Sequence, residues 1–143
     1  IAMIFTGKIS GVRVADLMSE KVITTTPRSS ISEAEKTMIK RGFRRLPIVF
    51  NDKLVGIITV MDILRFFGSG RVFKHLQSRN IAGVLQTSIL EIATEDVVTI
   101  EPNIDAGQAA RIMQEKKIGA LPVTEKGKLV GIVTERDFFK LIA

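Results

Sequence analysis

Residues 53–62 read KLVGIITVMD, and residues 128–137 read KLVGIVTERD. The two stretches lie 75 positions apart. Aligning the chain on itself at that offset gives 15 identities between residues 12–68 and 87–143, without a gap. Five of these identities are consecutive and begin the quoted stretches. An internal repeat of this length indicates a duplicated structural unit.

Both repeats predict the same order of elements. A short apolar helical turn comes first, then a β-branched strand stopped by a proline. A helix follows, with a capping residue at Ser30 in one copy and Asp105 in the other. A hairpin, joined through Asn51-Asp52 in the first copy and Lys126-Gly127 in the second, and an amphipathic helix close each repeat. The predicted strands and final helix are 22–25, 46–50, 54–59 and 61–67 in the first repeat, and 97–100, 121–124, 129–134 and 136–142 in the second.

The sequence therefore predicts an α/β (α+β) fold in which two pseudo-two-fold-related β-α-β-β-α repeats pack sheet to sheet. One unit of about 55 residues is marginal alone, because a small domain buries too little apolar surface. The predicted boundaries are 10–68 for the first repeat, 69–84 for a linker and 85–143 for the second repeat. The linker contains a predicted short helix from Arg71 to about Ser78.

Composition excludes several kinds of chemistry. The 143 residues include no Cys, Trp or Tyr and a single histidine, His75. Disulfides, thiolate metal sites and cysteine nucleophiles are therefore excluded, and a catalytic triad has one candidate base. No apolar run is long enough to span a bilayer. We expect no enzymatic activity, no metal site and a cytoplasmic location, and the first residue, Ile1, is what we expect of a fragment or processed chain.

The charge is uneven along the chain. The net charge is +6, and residues 1–70 hold 11 basic against 6 acidic side chains, whereas residues 88–143 hold 7 against 9. The first half and the middle therefore favour an anionic ligand or partner.

The pattern Thr-x-x-Asp occurs once in each repeat, where a strand meets a helix. In a structural interpretation, Thr59 and Thr134 cap the final helices, and Asp62 and Asp137 lie in their first turns. In a functional interpretation, the same helix ends attract an anion, and the carboxylates accept hydrogen bonds from a sugar diol. Both interpretations remain open at this stage, because one motif can do both.

The segments GFRRLPIVFNDKLVGIITVMDIL (42–64) and KIGALPVTEKGKLVGIVTERDFF (117–139) resemble a pair of CBS (cystathionine-β-synthase-type) domains, a Bateman module. The resemblance covers about residues 10–143. It implies a regulatory module that binds AMP, ADP, ATP or S-adenosylmethionine in clefts between the two domains, with no obligatory cofactor. It also implies that the motif threonines contact phosphate and the motif aspartates contact ribose hydroxyls.

Further ligand-binding candidates follow from the resemblance. Thr24, Thr26 and Pro27 in the first repeat, with Thr99 and Pro102 in the second, are candidate walls for the adenine base. The base is also expected near the Leu-Pro pairs that contain Pro47 and Pro122. Arg44 or Arg45 can face phosphate, because adjacent strand residues point to opposite faces. The alternative for these arginines is solvated surface charge. The second repeat has Gly119 and Ala120 there, and Arg136 is its candidate cation.

The expected partners are a second copy of the chain, joined through the apolar final helices, and a fused or separate effector domain. A nucleic-acid-binding module is an alternative, supported by the basic first half and by Arg71, Lys74, His75 and Arg79. No recognised nucleic-acid motif and no Tyr or Trp platform accompany these charges. A purely structural dimerisation module with empty clefts is the third interpretation.

Overall fold

The computed structural model describes residues 11–70, 72 and 81–142. In chain order its elements are α1 Val14–Leu17, α2 Ile31–Arg41, β1 Arg45–Phe50, β2 Lys53–Thr59, α3 Val60–Phe67, α4 Ile81–Leu85, a 3₁₀ turn Ile89–Glu91, α5 Ala106–Lys116, β3 Ala120–Glu125, β4 Lys128–Thr134 and α6 Glu135–Phe139. The predicted mixture of helices and strands is therefore present. The linker helix predicted to begin at Arg71 lies outside the described residues except for residue 72, as do Lys74, His75 and Arg79.

The chain forms two compact units. The first unit contains residues 23–70, 72 and 81–97, and the second unit combines residues 11–22 with residues 98–142. The helical turn that begins each repeat thus packs in the unit that contains the other repeat's hairpin. These units are defined by packing and the repeats by sequence, so the repeat boundaries of 10–68 and 85–143 stay a prediction.

The helix after each proline begins at the predicted capping residue. Ser30 Oγ accepts a hydrogen bond from the Glu33 amide at 3.2 Å, and α2 then buries Ile31, Ala34 and Met38. In α5, Asp105 Oδ2 accepts from the Gly107 amide at 2.8 Å. The capping residues are therefore confirmed, and each gives an otherwise unpaired helix amide a partner.

The hairpin turns lie at the predicted residues. Asn51 and Asp52 have φ angles of 50° and 64°, and Lys126 and Gly127 have 52° and 82°. Two consecutive left-handed residues give the turn a twist that matches antiparallel strands. Strands β1 and β2 pair from Arg45 opposite Thr59 to Phe50 opposite Lys53, and β3 and β4 repeat that register.

The predicted strands at 22–25 and 97–100 are wrong. Each segment makes a single bridge: Thr25 donates to the Pro47 carbonyl at 2.9 Å, and Ile100 donates to that of Pro122 at 3.1 Å. To extend the parallel pairing to Ile23, the Pro47 nitrogen would have to donate a hydrogen bond to the Ile23 carbonyl. Proline has no N–H, so the pairing stops after one bridge.

Each unit has its own apolar core. In the first unit the cluster centres on the hairpin residues Leu46, Ile48 and Ile58, none of which is exposed. In the second unit Leu121 and Val133 are equally buried. The two cores therefore fix both hairpins against their helices, and each Thr-x-x-Asp motif lies where the second strand of a hairpin meets the next helix.

Candidate functional site

Thr59 and Asp62 bind each other across the first turn of α3. The Thr59 amide and hydroxyl both donate to Asp62 Oδ2, at 2.9 and 3.0 Å, and the Asp62 amide donates to Thr59 Oγ1 at 3.1 Å. Asp62 is 5% exposed. The structural interpretation of the motif is therefore confirmed in this unit: it is a capping box that fixes where the helix begins.

The second unit repeats this arrangement at the start of α6. The Thr134 amide donates to Asp137 Oδ2 at 2.7 Å, and its hydroxyl lies 3.4 Å from the same oxygen. Asp137 is 8% exposed. Both units thus hold a buried carboxylate by its inner oxygen, Oδ2.

The other oxygen of each carboxylate, Oδ1, contacts a cation one turn further along the helix. Arg65 Nη2 lies 2.6 Å from Asp62 Oδ1, and Lys140 Nζ lies 3.1 Å from Asp137 Oδ1. Asp62 Oδ1 also lies 3.5 Å from the hydroxyl of Thr94. Sequence reasoning missed these three partners. The repeat contains the signal, because Arg65 and Lys140 are 75 positions apart, as are Ser19 and Thr94.

A close chain crossing positions Thr94 beside the first motif. The amides of Ile57 and Thr94 donate to each other's carbonyl oxygens at 2.9 and 3.0 Å, next to Gly56. In the second unit Ser19 and Ile132 exchange the same two bonds at 2.9 and 3.0 Å. The glycine of each Gly-x-x-Thr therefore leaves room for a second backbone segment against the strand.

The helix amides are less available to an anion than the sequence suggested. The first amide of α3, that of Val60, donates to the Arg44 carbonyl at 3.0 Å, and that of Glu135 donates to the Gly119 carbonyl at 3.2 Å. The Asp62 amide is also taken, by Thr59. Two of the first three amides of α3 therefore already have acceptors within the unit.

The remaining candidates differ in exposure. Thr24, Thr26 and Thr99 are exposed, and Pro27 and Pro102 are half-buried. Thr24 and Thr26 flank Thr25, whose bridge holds the segment beside Pro47. Arg44 and Arg136 are exposed, and Arg45 is half-buried; Pro47 and Pro122 are buried. The structure thus joins Thr59 to Asp62 and Thr134 to Asp137, and it pairs Arg45 with Thr59 across the first hairpin.

An open depression of about 320 Å³ lies beside the start of α6 in the second unit. Lys117 and Glu135 provide charges of opposite sign at its lining, which is completed by Met113, Gln114, Ile118 and Gly119. Because Glu135 is the residue after Thr134, the depression adjoins the second motif.

Among the described residues, no group of three or more His, Asp or Glu side chains is placed to hold a metal ion. No helix in the same part of the chain is both long and apolar enough to cross a bilayer.

The comparison with protein families agrees with two repeats. A family model described as the CBS domain matches residues 14–69 and 89–143. The fold and the duplicated motif thus define a tandem of two related domains. The chain belongs to the CBS domain family, and the predicted fold class is confirmed.

Several relatives are similar over most of this chain. Protein MJ1225 of Methanocaldococcus jannaschii is 37% identical over 131 residues, which are 91% of this chain and 47% of that protein. The match to the crystal structure of MJ1225 covers 99% of this chain and 51% of the MJ1225 chain, with a TM-score of 0.92. The inosine-5′-monophosphate dehydrogenase of Korarchaeum cryptofilum is 34% identical over 128 residues, 89% of this chain and 24% of that enzyme. The chain spans about half or less of these curated relatives.

A further relative has been crystallised with ligands. The CBS domain pair of protein MJ0100, in complex with 5′-methylthioadenosine and S-adenosyl-L-methionine, is 34% identical with a TM-score of 0.72. The match covers 92% of this chain and 100% of that chain. A CBS domain pair whose full length matches 92% of this chain therefore binds adenosyl compounds.

Proposed function

We propose that this chain is a regulatory module that binds an adenosyl ligand, such as AMP, ADP, ATP or S-adenosylmethionine, at its two Thr-x-x-Asp motifs. The observation that carries the proposal is the duplicated carboxylate. Asp62 and Asp137 are the buried acidic residues of the described chain, and both are held by one oxygen with the other directed to an exposed cation. The ligands of the MJ0100 domain pair support the adenosyl class.

The carboxylate suits the ribose of such a ligand. A ribose offers two adjacent hydroxyl donors, and an ionised carboxylate has about four acceptor positions on its two oxygens. In the proposed complex the inner oxygen keeps its bonds to Thr59, and Oδ1 of Asp62 accepts from the ribose. The capping box therefore does not compete with ligand binding, because it fixes the orientation of the carboxylate.

The bound phosphates or other polar groups would lie near Thr59, where the α3 dipole is positive. Arg44 and Arg45 precede the adjoining strand in the first unit, whereas Gly119 and Ala120 stand there in the second. Arg136 provides a cation at the start of α6, where the first repeat has Met61. The proposed sites are therefore unequal in charge, and a phosphorylated ligand favours the first.

The adenine base would lie against the exposed segment before each helix. Thr24 and Thr26, with Pro27, form that segment in the first repeat, and Thr99 and Pro102 form it in the second. Pro47 and Pro122 are buried, so their proposed role is to end the strand pairing. In the first repeat this leaves backbone groups of residues 22–24 without a hydrogen bond to β1. The location of the sites in clefts between the domains stays a prediction.

A regulatory output requires that the ligand bind two states of the module with different affinity. We expect the output to reach either a second copy of the chain or an effector domain, since the relatives are longer than this chain. Exposed apolar side chains on α3 favour a dimer, because Met61 and Leu64 are both more than half exposed.

A calorimetric titration with AMP, ADP, ATP, S-adenosylmethionine and a short oligonucleotide tests the proposal. Asp62→Asn and Asp137→Asn each remove one site, and loss of a charged hydrogen bond to ribose weakens binding by about 1.5–3 kcal/mol. Asp16→Asn is the matched control, because Asp16 Oδ2 accepts from a backbone amide at 2.8 Å in another capping contact. No heat with any adenosyl compound, or binding that both site variants leave intact, would contradict the proposal. Heat with the oligonucleotide alone would favour the nucleic-acid alternative.

A further inference from the structure

Both proposed ribose-binding oxygens already have a partner. Asp62 Oδ1 and Asp137 Oδ1 contact Arg65 and Lys140, each three residues later in the chain. The carboxylate side chains are 4% and 11% exposed, whereas the cations are 68% and 60% exposed. Each pair thus joins a fixed buried anion to a flexible cation at the surface.

We propose that Arg65 and Lys140 compete with the ligand: each occupies the ribose-binding oxygen of its motif until the ribose displaces it. The inference rests on the proposed function, and it states that these two side chains determine how tightly the ligand binds. Asp62 receives contacts from Thr59 twice, from Thr94 and from Arg65, which fills the acceptor capacity of one carboxylate. A ribose hydroxyl therefore gains an acceptor only where a present donor leaves.

Arg65 is the donor on Asp62 that can move away into solvent, because its side chain is 68% exposed, whereas two backbone hydrogen bonds to Ile57 fix Thr94. An ion pair with an exposed partner contributes little to stability, because water replaces the lost contact and the side chain regains its freedom. The Thr59 bonds, in contrast, fix the start of α3. Displacement of Arg65 thus leaves the capping box intact and opens Oδ1.

The two competitors are not equal. Arg65 holds Asp62 at 2.6 Å through a guanidinium nitrogen, whereas Lys140 lies 3.1 Å from Asp137 and also donates to the Leu17 carbonyl at 3.3 Å. The shorter contact predicts a larger change in affinity when Arg65 is removed. The first motif is therefore the better place for a test.

Adenosine is the probe, because it offers the ribose without a phosphate that a cation would attract. The titration uses the full chain with Asp137→Asn, so that the first motif is the site measured. Arg65→Met removes the charge and keeps an apolar stem, and we expect adenosine to bind about two- to fivefold more tightly. Lys36→Met on α2 is the matched control, since it removes one exposed positive charge far from the motif in sequence.

The salt dependence of adenosine binding provides a second readout. Added sodium chloride weakens an exposed ion pair by screening. Adenosine is neutral, so its affinity for the chain with Arg65 should rise with salt, and the Arg65→Met chain should lose most of that dependence. Far-UV circular dichroism establishes that the variants are folded.

The outcomes separate the two proposals. Unchanged or weaker adenosine binding by Arg65→Met, while Asp62→Asn abolishes it, overturns the competition and leaves the proposed function standing. Adenosine binding that survives Asp62→Asn, or the absence of heat with adenosine and with every other adenosyl compound when both aspartates are intact, overturns the proposed function and the competition with it.

Discussion

Gly131 lies against Ser19: a Cβ on Gly131 would lie 3.0 Å from the Ser19 carbonyl oxygen and 2.6 Å from Met18 Sδ. Gly56 has the corresponding relationship with Thr94, whose carbonyl oxygen would lie 3.0 Å from an added Cβ. Neither glycine has a positive φ angle. Both are therefore required by the closeness of a neighbouring backbone and not by their own conformation.

Gly56→Ala should lower the free energy of unfolding by about 1–3 kcal/mol, because the added methyl group meets a backbone oxygen that is held by two hydrogen-bonded residues. Urea denaturation measures the change. Gly70→Ala is the control, since nothing lies within 4 Å of its added Cβ. Equal stability of the two variants would show that the backbone at Thr94 shifts at little cost in free energy, and it would contradict the packing argument.

Asp62→Ala should destabilise the chain more than Asp16→Ala does. Asp62 is buried and accepts from Thr59, Arg65 and Thr94, so its loss leaves several donors without their acceptor and costs about 2–3 kcal/mol. Asp16 is exposed and accepts from one amide, for about 0.5–1 kcal/mol. Denaturant unfolding compares them, and a smaller loss for Asp62→Ala would count against the capping role of Asp62.

The hairpin turns permit a prediction in the opposite direction. Asp52 adopts a φ angle of 64° in the position where the other hairpin has Gly127 at 82°. Asp52→Gly should therefore stabilise the chain by up to about 0.5 kcal/mol, and Gly127→Ala should destabilise it by about 1 kcal/mol. Thermal denaturation of both variants tests the pair. A change of the same sign for both would contradict the turn geometry.

The turn and capping residues could be predicted from sequence because their chemistry is local. Asn51 and Asp52 tolerate left-handed backbone, and Ser30 offers a hydroxyl to an amide three residues away. The strand at 22–25 was wrong for a reason that is not local. Its β-branched residues favour a strand, but the partner strand presents Pro47, which lacks the N–H needed for a second bridge.

The position of each motif aspartate in the first turn of its helix could be predicted from the sequence, but its contacts outside the capping box could not. Thr94 reaches Asp62 across 32 positions, through a crossing that depends on Gly56. Spacing within a motif carries no information on such a contact. Arg65 contacts Asp62 because the two residues are three positions apart on one helix. The sequence also did not show that the Val60 amide, at the start of α3, donates to the Arg44 carbonyl.

The ends of the long helices provide another matched pair. Gly42 follows α2 with a φ angle of 70°, and Lys117 follows α5 with a φ angle of 55°. Lys117→Gly should stabilise the chain by about 0.5–1 kcal/mol, because a glycine adopts this conformation without a Cβ conflict. Gly42→Ala should cost a similar amount. Unfolding free energies for both variants test this, and a destabilised Lys117→Gly chain would indicate that the Lys117 side chain has a role at the depression that outweighs its backbone.

The proposed ligand binding has a consequence for stability that needs no assumption about the regulated output. A ligand that binds only the folded chain at one site raises the free energy of unfolding by about 2.7 kcal/mol at a concentration 100 times its dissociation constant. We therefore expect the adenosyl compound that gives heat in calorimetry to raise the melting temperature, and the shift should fall in Asp62→Asn and vanish when Asp137→Asn is added. Asp16→Asn should keep the full shift, since its carboxylate serves a cap outside the motifs. A shift that persists in the double variant would place the ligand elsewhere on the chain, with the depression beside Glu135 as the next surface to test.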